Sequence, residues 1–288
     1  MKKIEISDKS ILEKILSSKR GLCCEYSFAN LFIWGNIYDT RWELKNDILY
    51  IFYAEENSLL MPIPYIPPKE LANIPDLFSI PRKNLHINHV NEEYFHSNKD
   101  ISSYFEVIED EDFVDYVHLI DRLVELKGSK LAKKKNLISQ FVRNHPDYKC
   151  LPITDNFKTS ILELSDKWYA KQHTNHIGLK HEKLALNSAI EHFESLSLEG
   201  LVILAENKIC AFSIFSRQND ETYIEHFEKA DSEIKGSAQI INMETAKYLR
   251  TKAKFLNREQ DLGIPGLRKA KLSYSLDIRI GGKTLKYI

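Results

Sequence analysis

The second half of the chain constrains the fold most, because its hydrophobic period changes in a fixed order. Apolar residues recur at helical spacing over Thr159–Lys171 and again over His181–Leu196. Two short apolar runs follow, Leu201–Ala205 and Ile209–Phe215, which read as a hairpin about Asn207-Lys208. Tyr223–Phe227 is a third strand, Ala238–Leu249 returns to the helical period, and Phe255–Asn257 is a short fourth strand. Two helices, an antiparallel run of strands, a helix and a last strand define an α+β domain, not an alternating parallel one.

The first half shows a blurrier version of the same order. Ser10-Ile11-Leu12-Glu13 is a capping-box pattern opening a short amphipathic helix, and Tyr26–Trp34 reads as a second. Trp42 and Leu44, then Ile48, Tyr50 and Phe52, alternate across Asn46-Asp47 as a hairpin does. Tyr104–Ile108 and Val114–His118 are extended segments separated by acidic Glu109–Asp112. After Gly128, Ser129–Asn144 is a helix with Leu131, Leu137, Ile138, Phe141 and Val142 opposite a basic face, stopped by His145-Pro146. A length of 288 residues suits two domains. The boundary is placed at this helix end, giving halves 1–145 and 146–288.

Composition narrows the function. A net charge of −1 provides no global field toward nucleic acid or anionic lipid, and DNA is not an expected partner. The positive charge is local: Lys127, Lys130, Lys133, Lys134, Lys135, Arg143 and Lys149 stand against Asp147. Lys133, Lys134 and Lys135 are either a solvated helix face or a patch for phosphates such as those of tRNA. Cys23 and Cys24 are adjacent and could close only a strained vicinal disulfide; with Cys150, Cys210 and no C-x-x-C pair, this suits a reduced, cytoplasmic setting. The N-terminus lacks a signal-peptide core, and no apolar run reaches the ~18 residues of a membrane span. His173, His176 and His181 include a His-x-x-His spacing, but without further ligands at zinc spacing no metal is expected.

Chemistry-bearing residues concentrate in two stretches. One is Ile224-Glu225-His226-Phe227-Glu228-Lys229-Ala230-Asp231, running on into Glu233-x-x-Gly236-Ser237-Ala238. The other is Asn257-Arg258-Glu259-Gln260-Asp261-Leu262-Gly263, continuing through Arg268 and Lys269 to Tyr274. With Gly128-x4-Lys133-Lys134-Lys135-Asn136, these stretches closely resemble a bacterial family related to the C-terminal domain of phosphatidylglycerol lysyltransferase. The resemblance covers essentially the whole chain and is strongest from Glu225 to Tyr274.

That resemblance implies a tandem GNAT-like (acyl-CoA N-acyltransferase) fold, shared with the Fem peptidoglycan aminoacyltransferases: two mixed, mostly antiparallel sheets flanked by helices. It implies transfer of an activated acyl or aminoacyl group, from a coenzyme A thioester or aminoacyl-tRNA, to an amine or hydroxyl of a small-molecule, lipid or peptide acceptor. An acetyl-CoA-dependent N-acetyltransferase and a non-catalytic binding protein of the same fold are the alternatives. No counterpart of the lysyltransferases' membrane-embedded N-terminal domain is expected in this stretch.

In GNAT enzymes a strand runs into a loop of pattern Gln/Arg-x-x-Gly-x-Gly/Ala that holds the coenzyme A pyrophosphate on backbone amides at a helix start. Here Gly236 and Ser237 fit that spacing, although acidic Glu233 opens it; the other reading is a plain turn. Direct attack needs a base and a proton donor. Glu228 is the first candidate base, Asp261 the second, and Tyr274 the proton donor. Arg258, Arg268 and Lys269 either grip donor phosphates or form ion pairs that fix a long loop.

Overall fold

The computed structural model describes all residues except 18–22, 173–175, 262 and 275, and all side chains but those of 110, 112 and 113 among the rest. From the N-terminus come β1 (Lys2–Lys3) and α1 (Lys9–Ser17), which buries Leu12 and Leu16. The helix starts just before Ser10, behind a 3-10 turn at Ile6–Asp8. Asp8, not Ser10, takes a backbone donor there, from Glu5 at 3.0 Å. Next are α2 (Phe28–Ile33), capped by Ser27, and α3 (Gly35–Tyr38). Strands β2 (Thr40–Lys45) and β3 (Ile48–Tyr53) pair across Asn46 and Asp47, whose φ values of 52° and 61° are those a two-residue hairpin requires.

β4 (Ser58–Leu60), α4 (Pro68–Ala72), α5 (Ile74–Phe78), β5 (His86–Asn88) and α6 (Glu92–Ser97) follow. Then comes β6 (Phe105–Leu119), one strand where two were expected. Glu106, Glu109 and Glu111 are exposed on it, so charge does not interrupt the extended backbone.

The second stretch contains α7 (Ile120–Glu125), α8 (Ala132–Asn144), β7 (Lys149–Pro152), α9 (Asp155–Ala170) and α10 (Ile177–Glu191). It continues with β8 (Glu199–Ala205), β9 (Lys208–Arg217), β10 (Thr222–Ala230), α11 (Ser237–Leu249), β11 (Phe255–Asn257) and α12 (Pro265–Leu272). Every element expected from 159 to 257 is present. Last comes β12 (Ile278–Tyr287).

The chain forms two units, Met1–Asp115 with Ile280–Ile288, and Tyr116–Arg279. In the first the strand order is β1-β2-β3-β4-β5-β12-β6, with β4 and β5 parallel. In the second it is β6-β11-β10-β9-β8-β7, antiparallel except for β10 and β11. The division falls at Asp115/Tyr116, not near residue 145, because α8 belongs to the second unit's core. Ile138 and Phe141 cluster there with Phe215, Ile240, Ile241, Leu256 and Tyr274. An apolar face that reads as the end of one domain is packed as the lid of the next.

Among the histidines, His176 accepts the Gly178 amide at the start of α10 (3.1 Å), a capping role; His173 lies outside the described residues. Among the described residues, no helix is long and apolar enough to cross a membrane.

Candidate active site

The site begins with a slip in strand register. Glu225 stands opposite Phe215 on β9, but Phe227 stands opposite Ile214, so β10 carries one extra residue at a β-bulge. Residues three apart on a strand normally face opposite sides. The bulge instead brings Glu225 and Glu228 to one face, opposite Phe215 and Ser213. The Ser213 hydroxyl donates to Glu225 Oε1 at 2.8 Å.

Arg258, one residue past β11, spans the two carboxylates. Its Nε donates to Glu225 Oε2 at 2.7 Å, and its Nη2 lies 3.0 Å from Glu228 Oε2. The arginine is only 8% exposed, so it is an internal counter-ion. Asn242 of α11 donates to Glu228 Oε2 at 3.2 Å. One guanidinium cannot fully balance two carboxylates, and Glu228 bears the difference. Burial, reinforced by the charge of Glu225, pushes its carboxyl up to about 7 against the opposing pull of Arg258, Asn242 and Lys134.

Tyr274 completes the cluster. Its ring lies 4.2 Å from Lys134 Nζ and 5.4 Å from the Arg258 guanidinium carbon, both cation–π distances. Burial and the nearby Glu228 push its phenol well above its ordinary value, so it keeps its proton. Burial and Arg258 lower the Lys134 ammonium. His118, on β6 beside Leu256, is fully buried, and neither ring nitrogen has a hydrogen-bond partner. Burial, with Arg258 and Lys271 nearby, takes its pKa to about 3, so the imidazole is neutral.

The other expected residues fall elsewhere. Asp261 is fully buried and receives Arg268 Nε at 2.6 Å, Arg268 Nη2 at 2.9 Å, the Gly263 amide at 2.9 Å and the Tyr116 hydroxyl. Burial opposes its ionisation, but these bonds outweigh that and hold it below the usual carboxylate range. A carboxylate so committed makes a poor base near neutral pH. With Lys271, whose ammonium donates to the Gln260 carbonyl, Asp261 and Arg268 lock the loop after β11. Lys269 is exposed on α12, beside an open depression of about 520 Å³ that Pro265, Arg268, Leu272 and Ser273 also line.

Gly236 has φ 90°, and a Cβ there would sit 2.5 Å from the Leu137 carbonyl oxygen and 2.9 Å from Phe141 Cβ. It is a glycine because α8 crosses it. Ser237 is 3% exposed, its hydroxyl donates to the Asp231 carbonyl at 2.8 Å, and its amide donates to that of Ile234 at 3.1 Å. Both donors are therefore taken. Glu233 pairs with Lys171 at 2.9 Å. Of the three consecutive lysines, Lys134 turns toward Tyr274 while Lys133 and Lys135 are exposed.

The sequence singled out Glu228, Tyr274 and Arg258, which the structure brings together, with Arg258 a buried counter-ion and not a phosphate grip; it did not single out Glu225, Asn242 or His118. The Glu-x-x-Glu spacing was visible, but its meaning depends on the bulge.

Two helices before a mostly antiparallel sheet, a bulged strand, and a helix leading to a parallel strand define the class: a GNAT-like transferase fold. Residues 21–277 match the family described as phosphatidylglycerol lysyltransferase, C-terminal. The chain belongs to that family. It is 30% identical to a conserved protein of unknown function from Bacteroides thetaiotaomicron VPI-5482, over 100% of this chain and 99% of that one, with a TM-score of 0.88. L-PGS from Bacillus licheniformis shares the fold at 14% identity, covering 97% and 92% of the two chains, with a TM-score of 0.65. FemX shares it at 7% identity, covering 99% and 96%, with a TM-score of 0.66. No curated protein matches the chain. Family and fold are those of acyl- and aminoacyltransferase-like proteins.

Proposed function

We propose that this chain transfers an aminoacyl group from an activated ester to an amine or hydroxyl by direct attack, with Glu228 as base and Tyr274 as proton donor. The observation that carries the proposal is the pair of environments in one cluster. A partly open carboxyl is raised to about 7, beside a phenol that keeps its proton. Glu228 takes a proton from the acceptor ammonium or hydroxyl. The freed nucleophile attacks the ester carbonyl, and the C–O bond to the leaving group breaks. Tyr274 protonates the leaving hydroxyl and recovers its proton from Glu228. Lys134 and Arg258 supply positive charge near the developing oxyanion. Asp261, Arg268 and Tyr116 hold the loop that carries Arg258.

The covered Gly236–Ser237 turn favours aminoacyl-tRNA over coenzyme A as donor, because both polar donors of Ser237 are taken. A tRNA ester donor places the reaction in the cytoplasm, and exposed Lys133 and Lys135 would meet its phosphates. The acceptor is a small molecule, a peptide or a lipid headgroup that presents an amine or hydroxyl.

The test is transfer of labelled amino acid from a panel of aminoacyl-tRNAs to amines, peptides and phosphatidylglycerol vesicles, with acetyl-CoA in parallel. Glu228→Gln and Tyr274→Phe should each cut turnover by ~10²–10⁴ in a folded protein. The wild-type rate should rise with pH toward about 7, as Glu228 ionises. Acetyl transfer without aminoacyl transfer, or full activity in both variants, would overturn the assignment.

A further inference from the structure

A second cluster of reactive side chains lies in the first unit. Cys23, Cys24 and Glu25 run into a 3-10 turn at Cys24–Tyr26, His89 follows β5, and Asp115 lies on β6. All five are buried, none more than 9% exposed. One ligand atom from each of Cys23, Glu25 and His89 lies within 4.8 Å of the others, and the same holds for Cys24, Glu25 and Asp115. His89 Nε2 is 3.1 Å from Glu25 Oε1. The Cys24 sulfur lies 3.4 Å from Glu25 Oε2 and 3.3 Å from Asp115 Oδ1, with one S–H to donate to either, and its amide donates to Asp115 Oδ2 at 2.6 Å.

Thiol, carboxylate and imidazole thus converge from three separate segments of the first unit. His89 also has φ 59°, a left-handed backbone that non-glycine residues adopt uncommonly. Tetrahedral zinc with bonds of about 2.0–2.3 Å draws its ligand atoms to roughly 3.3–3.8 Å from one another. From within 4.8 Å of one another, the three groups must close by up to about 1.5 Å to reach that. Thiolate, imidazole and carboxylate together select a borderline ion such as zinc, whereas calcium and magnesium take oxygen sets.

We propose that Cys23 Sγ, the Glu25 carboxylate and an imidazole nitrogen of His89 bind one Zn²⁺. Cys24 and Asp115 sit behind Glu25 and orient it, as outer partners orient ligands in zinc sites. Three protein ligands leave a fourth position for water or a small ligand. On binding, the Cys23 S–H bond is replaced by S–Zn and the proton passes to solvent.

The test uses the full chain freed of metal by dialysis and titrated with Co²⁺. One equivalent should bring up a thiolate-to-cobalt charge-transfer band with intense tetrahedral visible bands, and one equivalent of Zn²⁺ should bleach them. Cys23→Ser should lose the charge-transfer band and Cys24→Ser should keep it. His89→Gln should weaken Co²⁺ binding by more than the roughly 10–100-fold that loss of an outer partner costs. Should the variants fail to fold, zinc-edge X-ray absorption of the wild-type complex should show one sulfur ligand at about 2.3 Å. Absence of the band in wild type, or its loss in Cys24→Ser but not Cys23→Ser, overturns the site.

Discussion

If Glu228 holds a proton that its unfolded counterpart has released, replacing it with Gln should stabilise the protein above neutral pH. The unfolded side chain loses its proton near its ordinary 4.5, the folded one near about 7. Between these values the native state binds the extra proton. Its contribution is therefore fully present below 4.5 and is lost as pH rises through 7. At ~1.4 kcal/mol per pKa unit, the interval from 4.5 to about 7 corresponds to about 3 kcal/mol. A Gln side chain does not titrate, and its carbonyl can still accept from Arg258 and Asn242. It leaves Arg258 and Glu225 as a balanced pair. Urea unfolding of wild type and Glu228→Gln across this range should give a stability difference that moves in favour of the variant by about 3 kcal/mol as pH rises. The other titrating groups are common to both proteins and cancel. A difference independent of pH, or a variant less stable than wild type at alkaline pH, would show that Arg258 holds Glu228 ionised, and the argument for it as a base would collapse.

Two further outcomes follow from the helix that covers this site. Gly236→Ala forces a Cβ to 2.5 Å from the Leu137 carbonyl oxygen at φ 90°, and should cost ~2–4 kcal/mol, read as a fall in melting temperature. An unchanged melting temperature would mean that α8 does not pack there. Lys133→Ala with Lys135→Ala should flatten the salt dependence of tRNA binding by up to ~2 counterions while leaving the Tyr274 environment intact; an unchanged slope would return both lysines to a solvated face.

The second unit was legible because each of its elements carries its own local signal. Asn207 takes positive φ in its hairpin, as Asn46 and Asp47 do in theirs, and α11 starts where the glycine falls. Three features were not legible, for different reasons. The β10 bulge leaves no mark on hydrophobic periodicity over so short a span, so the partnership of Glu225 with Glu228 could not be read from spacing. The apolar stripe of α8 says that the helix is covered but not by which unit. The charged run from Arg258 to Lys271 looks like a ligand-gripping surface in one dimension, yet Arg258, Asp261, Arg268 and Lys271 spend their hydrogen bonds on each other's neighbourhoods. Charge alone does not distinguish a cation that waits for phosphate from one that already has a carboxylate.

The discontinuity of the first unit sets an order of events during synthesis. Its β5 pairs through Ile87 and His86 with Leu285 and Lys286 of β12, and Tyr116–Arg279 is made in between. At ribosomal rates of ~5–20 residues per second, the edge of β5 waits roughly 10–40 s for its partner. The second unit, contiguous in the chain, can acquire its core in that interval. Residues 1–115 are made before the strand that closes their sheet, which makes the open edge of β5 the natural client of a holding chaperone until β12 arrives.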